Sequence, residues 1–397
     1  MVANVGNYGF QAIAGRMLTV EEFGVMNTIL AVCGAALVPV GALGTSVNRW
    51  VSMYDAAHDQ RAIKTLLFRA TRRLTLLLIG AFFALIASTR LIESFLRLSS
   101  PVPVWAGALW IAAGLYAGIL VGGLQGLRWF SWVAVLTVVG VATRLFAGFL
   151  FMSINSDATA GLAASAASNV VLIGGAYLLM RPLLKLSPVT GLETRPIYHY
   201  LFPVALPMSA WSLMTTIDMV VVKHSFPDLT AGYYAAAGLF GRSLVGLTLP
   251  IATVLFPEWS RMLATLAVET AGRRLVIQSM VAAGLLGAAI AGFCTLWPEI
   301  PLHLLKGKSE AVTERLLPYF MWAMLPMAVA AVPFYYHLAH ANFRRLTGFL
   351  LVFAAYLTAL SLWHQSLHQV LFLMAATGVI ATLVLSWRCA PRTVEPS

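Results

Sequence analysis

The chain has 397 residues, 60% of them hydrophobic and only 10% charged, with a formal net charge of +11 and a mean hydropathy of +0.83. A soluble domain carries roughly a quarter charged residues, so the composition excludes a soluble protein. Apolar stretches recur from end to end, which also excludes a soluble domain on a single anchor. Cys33, Cys294 and Cys389 are scattered in or beside apolar segments, a pattern that argues against a disulfide framework and against a metal cluster.

A membrane-spanning helix needs about 20 residues. In chain order the apolar segments predict twelve spans, at 1–16, 23–52, 74–96, 102–124, 129–152, 159–180, 199–222, 232–255, 275–297, 316–339, 346–363 and 367–387. No basic n-region with a cleavage-like site marks a signal peptide. The loop after the second span holds Arg61, Lys64, Arg69, Arg72 and Arg73, and the loops after the even-numbered spans together with the C-terminus hold sixteen basic residues against seven on the opposite side. The positive-inside rule then predicts cytoplasmic termini and cytoplasmic even-numbered loops. Much of the net charge is thereby orientation signal and lipid contact, which gives little support to nucleic-acid binding.

Three basic residues remain inside spans: Arg49, Arg144 and Arg242. Arg49 sits about one turn from the cytoplasmic end and can snorkel, but Arg144 and Arg242 lie near the centres of their spans. Asp218 follows an apolar run and precedes three valines. At 1.5 Å per residue, Arg144 falls ~4 Å and Asp218 ~9 Å outward of the span centres, with Arg242 near the midplane. Intramembrane charges are costly and have a partner or a task. Two readings stay open: a net-positive cavity that attracts phosphate through the arginine donor fork, or an ion pair that holds helices together.

The segment 18–54 aligns with 226–262 at an offset of 208, with Gly24 falling on Gly232. Six spans separate the copies, an even number, so the halves are expected to be parallel repeats of six helices with a site between two lobes. The expected organisation is an N-terminal bundle at 1–184, a cytoplasmic linker at 185–198 and a C-terminal bundle at 199–397.

The segment "AGRMLTVEEFGVMNTILAV" (14–32) carries a first-helix Ala-Gly-Arg, a short turn and Glu-Phe-Gly opening the second helix. "IDMVVVK" (217–223), "AGYYAAAGLF" (231–240) and "LFPEWSRM" (255–262) open the second half. Together they resemble the polysaccharide transporter (Wzx-like) branch of the multidrug/oligosaccharidyl-lipid/polysaccharide (MOP) flippase superfamily. The resemblance implies an all-α polytopic fold of about twelve transmembrane helices in two pseudo-symmetric, V-shaped six-helix bundles. It also implies alternating-access export of undecaprenyl-(pyro)phosphate-linked oligosaccharide across the bacterial cytoplasmic membrane. The expected partners are that glycolipid, the bilayer and a polysaccharide polymerase or chain-length complex; no cofactor is expected beyond a coupling proton or sodium ion. One departure from the pattern is that no basic segment precedes the first helix, and Met1–Arg16 rises only ~24 Å.

The candidate cationic site comprises Arg144, Arg242 and Asp218, with Arg49 and Arg16 as further cations. Asn4, Asn7 and Gln11 share one face of the first helix, and Trp211, Thr215 and Asp218 one face of the seventh. Such amide, hydroxyl and aromatic groups suit sugars, and equally suit helix packing. "KGKS" (306–309) lacks the first glycine of a phosphate loop, because Leu302 stands there. The pairs His337/His340 and His364/His368 lack an accompanying acid or cysteine, so no metal site is expected. Alternative functions are a multidrug/cation antiporter, which would favour cavity acids over cations, and a membrane polymerase or ligase, which would need a catalytic outer loop. The longest outer loop, 298–315, carries no acid–base constellation.

Overall fold

The computed structural model describes residues 2–187, 195–262, 269–307, 310–339 and 343–386. These residues form helices and connecting turns. The helices are α1 (Val2–Met17), α2 (Val20–Ala56), α3 (Gln60–Leu96), α4 (Val102–Gly126), α5 (Phe130–Ile154), α6 (Ala158–Leu184) and α7 (Arg195–Met214), followed by α8 (Ile217–Ser225), α9 (Asp228–Met262), α10 (Glu269–Leu296), α11 (Glu299–Lys306), α12 (Ala311–Ala339), α13 (Phe343–Leu362) and α14 (Leu367–Ser386). Among the described residues, nine helices are long and apolar enough to cross a membrane, or ten if α7 and α8 count as one bent span.

Each of the twelve expected segments corresponds to a helix, with two differences. The seventh is broken: Ala205–Met214 and Ile217–Ser225 meet at 44°. The hydroxyls of Thr215 and Thr216 both donate to the Ser212 carbonyl, at 2.9 and 2.8 Å. Such local side-chain bonds compete with the regular ladder and bend helices. Trp211, Thr215 and Asp218 therefore do not share one continuous helical face. The second difference is α3, which begins at Gln60 rather than near 74. Within the stretch expected as loop, Ala62, Ile63, Leu66, Leu67, Ala70 and Leu74 are buried at three- and four-residue spacing, the signature of one apolar helix face. Of these, Ile63, Leu66, Leu67, Ala70 and Leu74 cluster with Val47 and Val51 of α2, Leu124 of α4 and Met180 of α6, while Arg61, Arg72 and Arg73 stay exposed. Further along α3, Leu77, Phe83 and Leu91 are exposed, as a lipid-facing helix requires.

Helix starts are set by side-chain caps. Thr19, Asp59 and Asp157 accept hydrogen bonds from the amides of Glu22, Ala62 and Ala160, satisfying donors that the first turn leaves unpaired. Shifting the starts of α2, α3, α4 and α6 by the 208-residue offset gives 228, 268, 310 and 366, within one residue of the starts of α9, α10, α12 and α14. The weak repeat between 18–54 and 226–262 is thus one part of a longer repeat in which four helices of each half start in register.

By contacts the chain divides into two compact units, Met1–Thr216 with Phe226–Gly232, and Ile217–Ser225 with Tyr233–Ser397. The division falls after Thr216 rather than in 185–198, because α7 packs along α2. In the first unit α4 is central, lying against α2 and α6; α5 packs on α6, and α1 on α5. In the second, α12 lies between α10 and α14, and α8 touches α13 and α14.

Candidate functional site

Two polar clusters form within the helices, one in each unit. In the first unit Arg144 projects from the apolar α5. Its Nη1 donates to Asn7 Oδ1 of α1 at 2.6 Å and its Nε to Ser165 Oγ of α6 at 3.1 Å. Its Cζ stands 4.1 Å from the centroid of the Phe10 ring, a cation–π placement. Ser165 passes its own proton to the Gly161 carbonyl, so its oxygen is oriented to accept from Arg144. Both hydrogen-bond acceptors are neutral, and among the described residues no carboxylate pairs with Arg144. A guanidinium has five donors, so this one keeps donors and its full charge for something else.

Arg144 lines a cavity of about 570 Å³ wholly within the first unit, together with Asn7, Trp110, Gln125, Ser168 and Asn169. The volume lies in the range of small-molecule sites, roughly 300–1,000 Å³. Its floor is built from glycines. Gly114, Gly118, Gly122 and Gly126 recur every four residues on α4, the small-residue spacing that lets membrane helices approach closely. A Cβ at Gly44 would stand 3.0 Å from the Gly118 carbonyl oxygen, and one at Gly122 would strike the Gly44 carbonyl oxygen. Gly114 leaves room beside Leu37 and Asn169.

The second cluster centres on Asp218, which is fully buried. Its Oδ2 accepts from Arg242 Nη2 and from the Tyr234 hydroxyl, each at 2.7 Å. Asp218 sits in the first turn of α8, directly after the break, where the helix dipole favours an anion. The Tyr234 and Phe320 rings lie 4.9 Å apart, and Arg242 Cζ is 5.3 Å from the Phe320 centroid. Gly238 and Gly241 provide the space that Phe320 fills. Asp218 Oδ1 and the buried Tyr356 hydroxyl find no hydrogen-bond partner among the described residues.

The expected site residues therefore separate. Arg144 and Asn7 come together, and Asp218 and Arg242 form an ion pair. Gln11 turns to α2, where its Nε2 donates to Asn27 Oδ1 at 3.0 Å. Arg16, at the last turn of α1, and Arg49, on α2, are exposed and line neither cluster. Trp211 is buried, and the side chain of Asn4 lies outside the described residues. Sequence reasoning missed Trp110, Gln125, Ser168 and Asn169. Ser165, Ser168 and Asn169 do fall at i, i+3, i+4 on α6, a polar face that periodicity alone could have revealed. His337 bonds the Leu385 carbonyl and His364 the Leu360 carbonyl, while His340, Lys308 and Ser309 lie outside the described residues. Among those residues no group of three or more His, Cys, Asp or Glu gathers to hold a metal.

Residues 1–263 match a family model described as polysaccharide biosynthesis protein. No curated protein sequence matches the chain. Among solved structures the chain is similar to the lipid II flippase MurJ in an inward closed conformation, with TM-score 0.71, 14% identity, and coverage of 96% of this chain and 84% of that one. It is also similar to an inward-facing multidrug resistance MATE family transporter of the MOP superfamily, with TM-score 0.70, 10% identity and coverage of 96% and 92%. A third match is a MOP superfamily transporter from Pyrococcus furiosus, with TM-score 0.55, 14% identity and coverage of 97% and 90%. The all-helical fold is that of these transporters.

Proposed function

Because the chain belongs to the polysaccharide biosynthesis protein family, within the MOP superfamily of multi-pass membrane transporters and flippases, we propose that it flips lipid-linked oligosaccharide. The cargo is a glycan on undecaprenyl (pyro)phosphate. The membrane is the bacterial cytoplasmic membrane, both termini lie in the cytoplasm, and the product feeds O-antigen, capsule or exopolysaccharide assembly by a polymerase partner. The observation that supports this reading best is Arg144, a cation held by neutral groups in a partly polar cavity among apolar helices. Low dielectric strengthens its attraction for a phosphate, and its planar fork matches phosphate oxygens. A transporter of cationic drugs would present an acid in that cavity. The intramembrane acid Asp218 is instead fully buried and already neutralised by Arg242.

Asp218 supplies the release step in this reading. While paired with Asp218 the Arg242 guanidinium is not available to an anion; protonation of Asp218, or a sodium ion beside it, frees it. A cation that is available in one state and sequestered in the other allows binding without permanent capture. Ion binding at Asp218 then couples export to the proton or sodium gradient.

The test is surface glycan display in a strain lacking the gene and complemented by variants, with protein levels matched by immunoblot. Arg144→Ala abolishes display, and Arg144→Lys, which keeps the charge without the fork, retains part of it. Normal display from well-expressed Arg144→Ala would overturn the phosphate role.

A further inference from the structure

We propose that the wall of the cavity formed by Trp110, Ser168 and Asn169 is a subsite for an uncharged saccharide, the sugar directly bonded to the cargo phosphate. The proposal rests on the reading of Arg144 as the phosphate contact and adds what lies next to it.

The placement follows from helix geometry. Ser165, which receives the Arg144 Nε donor, precedes Ser168 and Asn169 by three and four residues on α6. Side chains at that spacing are neighbours on one face, about 5–6 Å apart at Cβ. A group bonded to a phosphate at Arg144, beside Ser165, therefore meets Ser168 and Asn169 one helical turn along. Trp110 of α4 stands across from them, since Asn169 Nδ2 reaches the Trp110 carbonyl at 3.4 Å. All three residues line the same cavity as Arg144.

The chemistry follows from what these side chains lack. Asn169 makes that one long bond, and among the described residues its Oδ1 accepts none. The Trp110 indole N–H likewise has no hydrogen-bond acceptor there. Ser168 gives its proton to the Gly140 carbonyl at 2.8 Å and keeps lone pairs to accept with. Farther along α4, Gln125 Oε1 receives only a 3.5 Å contact from Asn48. Polar groups left unpaired among apolar helices cost free energy until something satisfies them. The occupant must both donate and accept at close spacing, as a hydroxyl-bearing ring does. Aromatic rings also offer such a ring's apolar face a packing surface. Arg144 is the sole charged side chain among the described cavity-lining residues. A uronate would find no second cation, and an amino sugar with a free ammonium would find no acid, so the sugar is uncharged. The glycine floor from Gly114 to Gly122 leaves the path open for further sugars toward Gln125.

The full-length protein in detergent micelles is titrated with three probes: bare undecaprenyl pyrophosphate, the same lipid carrying one uncharged hexose, and the same lipid carrying one hexuronate. Binding is read by ligand-dependent thermal stabilisation. The uncharged hexose is expected to tighten binding several-fold over the bare lipid, and the hexuronate not to. Trp110→Ala and Asn169→Ala abolish that gain while binding the bare lipid as wild type does, which also shows them folded; Trp110→Phe restores part of it. Arg144→Ala weakens all three probes alike. An unchanged hexose gain in both alanine variants, or an equal gain from the hexuronate, overturns the subsite while leaving the phosphate reading standing. Equal binding of all probes to wild type and Arg144→Ala, or no binding to wild type, overturns the phosphate reading itself.

Discussion

Asn7 Oδ1 and Arg144 Nη1 meet at 2.6 Å across 137 residues of chain, and the neutrality of that acceptor is what leaves the guanidinium charge uncompensated. An aspartate in the same place would make a salt bridge and cancel the cation. Asn7→Asp is nearly isosteric, so the protein should fold and reach the membrane. Surface glycan display should nonetheless fall to the level of Arg144→Ala, whereas Asn7→Ala, which only loosens the arginine, should retain part of it. Normal display from Asn7→Asp would show that the charge of Arg144 is not used.

Asp218, Arg242 and Tyr234 make the opposite arrangement, a fully neutralised buried charge. Removing one member of a buried ion pair leaves the other uncompensated, at a cost of about 3–5 kcal/mol. Arg242→Ala should therefore lower the melting temperature of the detergent-solubilised protein clearly more than Tyr234→Phe, which loses one hydrogen bond worth about 1–3 kcal/mol. The double variant Asp218→Ala/Arg242→Ala should be less damaged than the two single effects added, because the two residues share one interaction. Additive losses would show that the pair is not coupled. Asp218→Asn, as a stand-in for the protonated acid, should keep glycolipid binding while slowing export.

Why the fold was so legible, and the site less so, follows from the same residues. In hydrocarbon every backbone group must be paired within the helix, so apolar run length predicts spans well, and each of the twelve segments corresponds to a helix. Where the chain leaves hydrocarbon that logic fails. The first turns of α3 look like a basic loop because Arg61, Arg69, Arg72 and Arg73 dominate the composition, yet Ile63, Leu66 and Leu67 between them pay for a helix face. The break before Asp218 was hidden because two threonines are ordinary in a membrane helix, and only their shared use of the Ser212 carbonyl reveals the bend. Arg144 and Asp218 stood out because charge in an apolar run is conspicuous. Trp110, Ser168 and Asn169 did not, since uncharged polar residues are common in packed membrane helices.

Gly122 carries the α2–α4 contact that shapes the cavity floor. A methyl group there would strike the backbone carbonyl of Gly44, which cannot swing away as a side chain tip would. Overpacking of this kind costs about 1–3 kcal/mol. Gly122→Ala should reduce the monodisperse fraction on size-exclusion chromatography. Gly174→Ala, at a position with nothing within 4 Å, should be neutral. Equal behaviour of the two variants would remove the close approach from the account of the cavity.

The orientation argued from basic residues makes a prediction that is independent of the site. Arg61 is exposed at the start of α3, and Leu304, 76% exposed on α11, lies beyond α10. Seven helices or helix pairs, taking α7 and α8 as one crossing, run between the two positions, and a crossing at each from α3 to α10 puts them on opposite faces of the membrane. The excess of sixteen basic residues over seven assigns Arg61 to the cytoplasm. In a background where the native cysteines are replaced, a cysteine at 304 should react with a membrane-impermeant maleimide in intact spheroplasts. A cysteine at 61 should react only after permeabilisation. The reverse pattern would invert the topology, and with it the side from which the glycolipid enters. Labelling of both in intact cells would mean that one of the intervening helices does not cross.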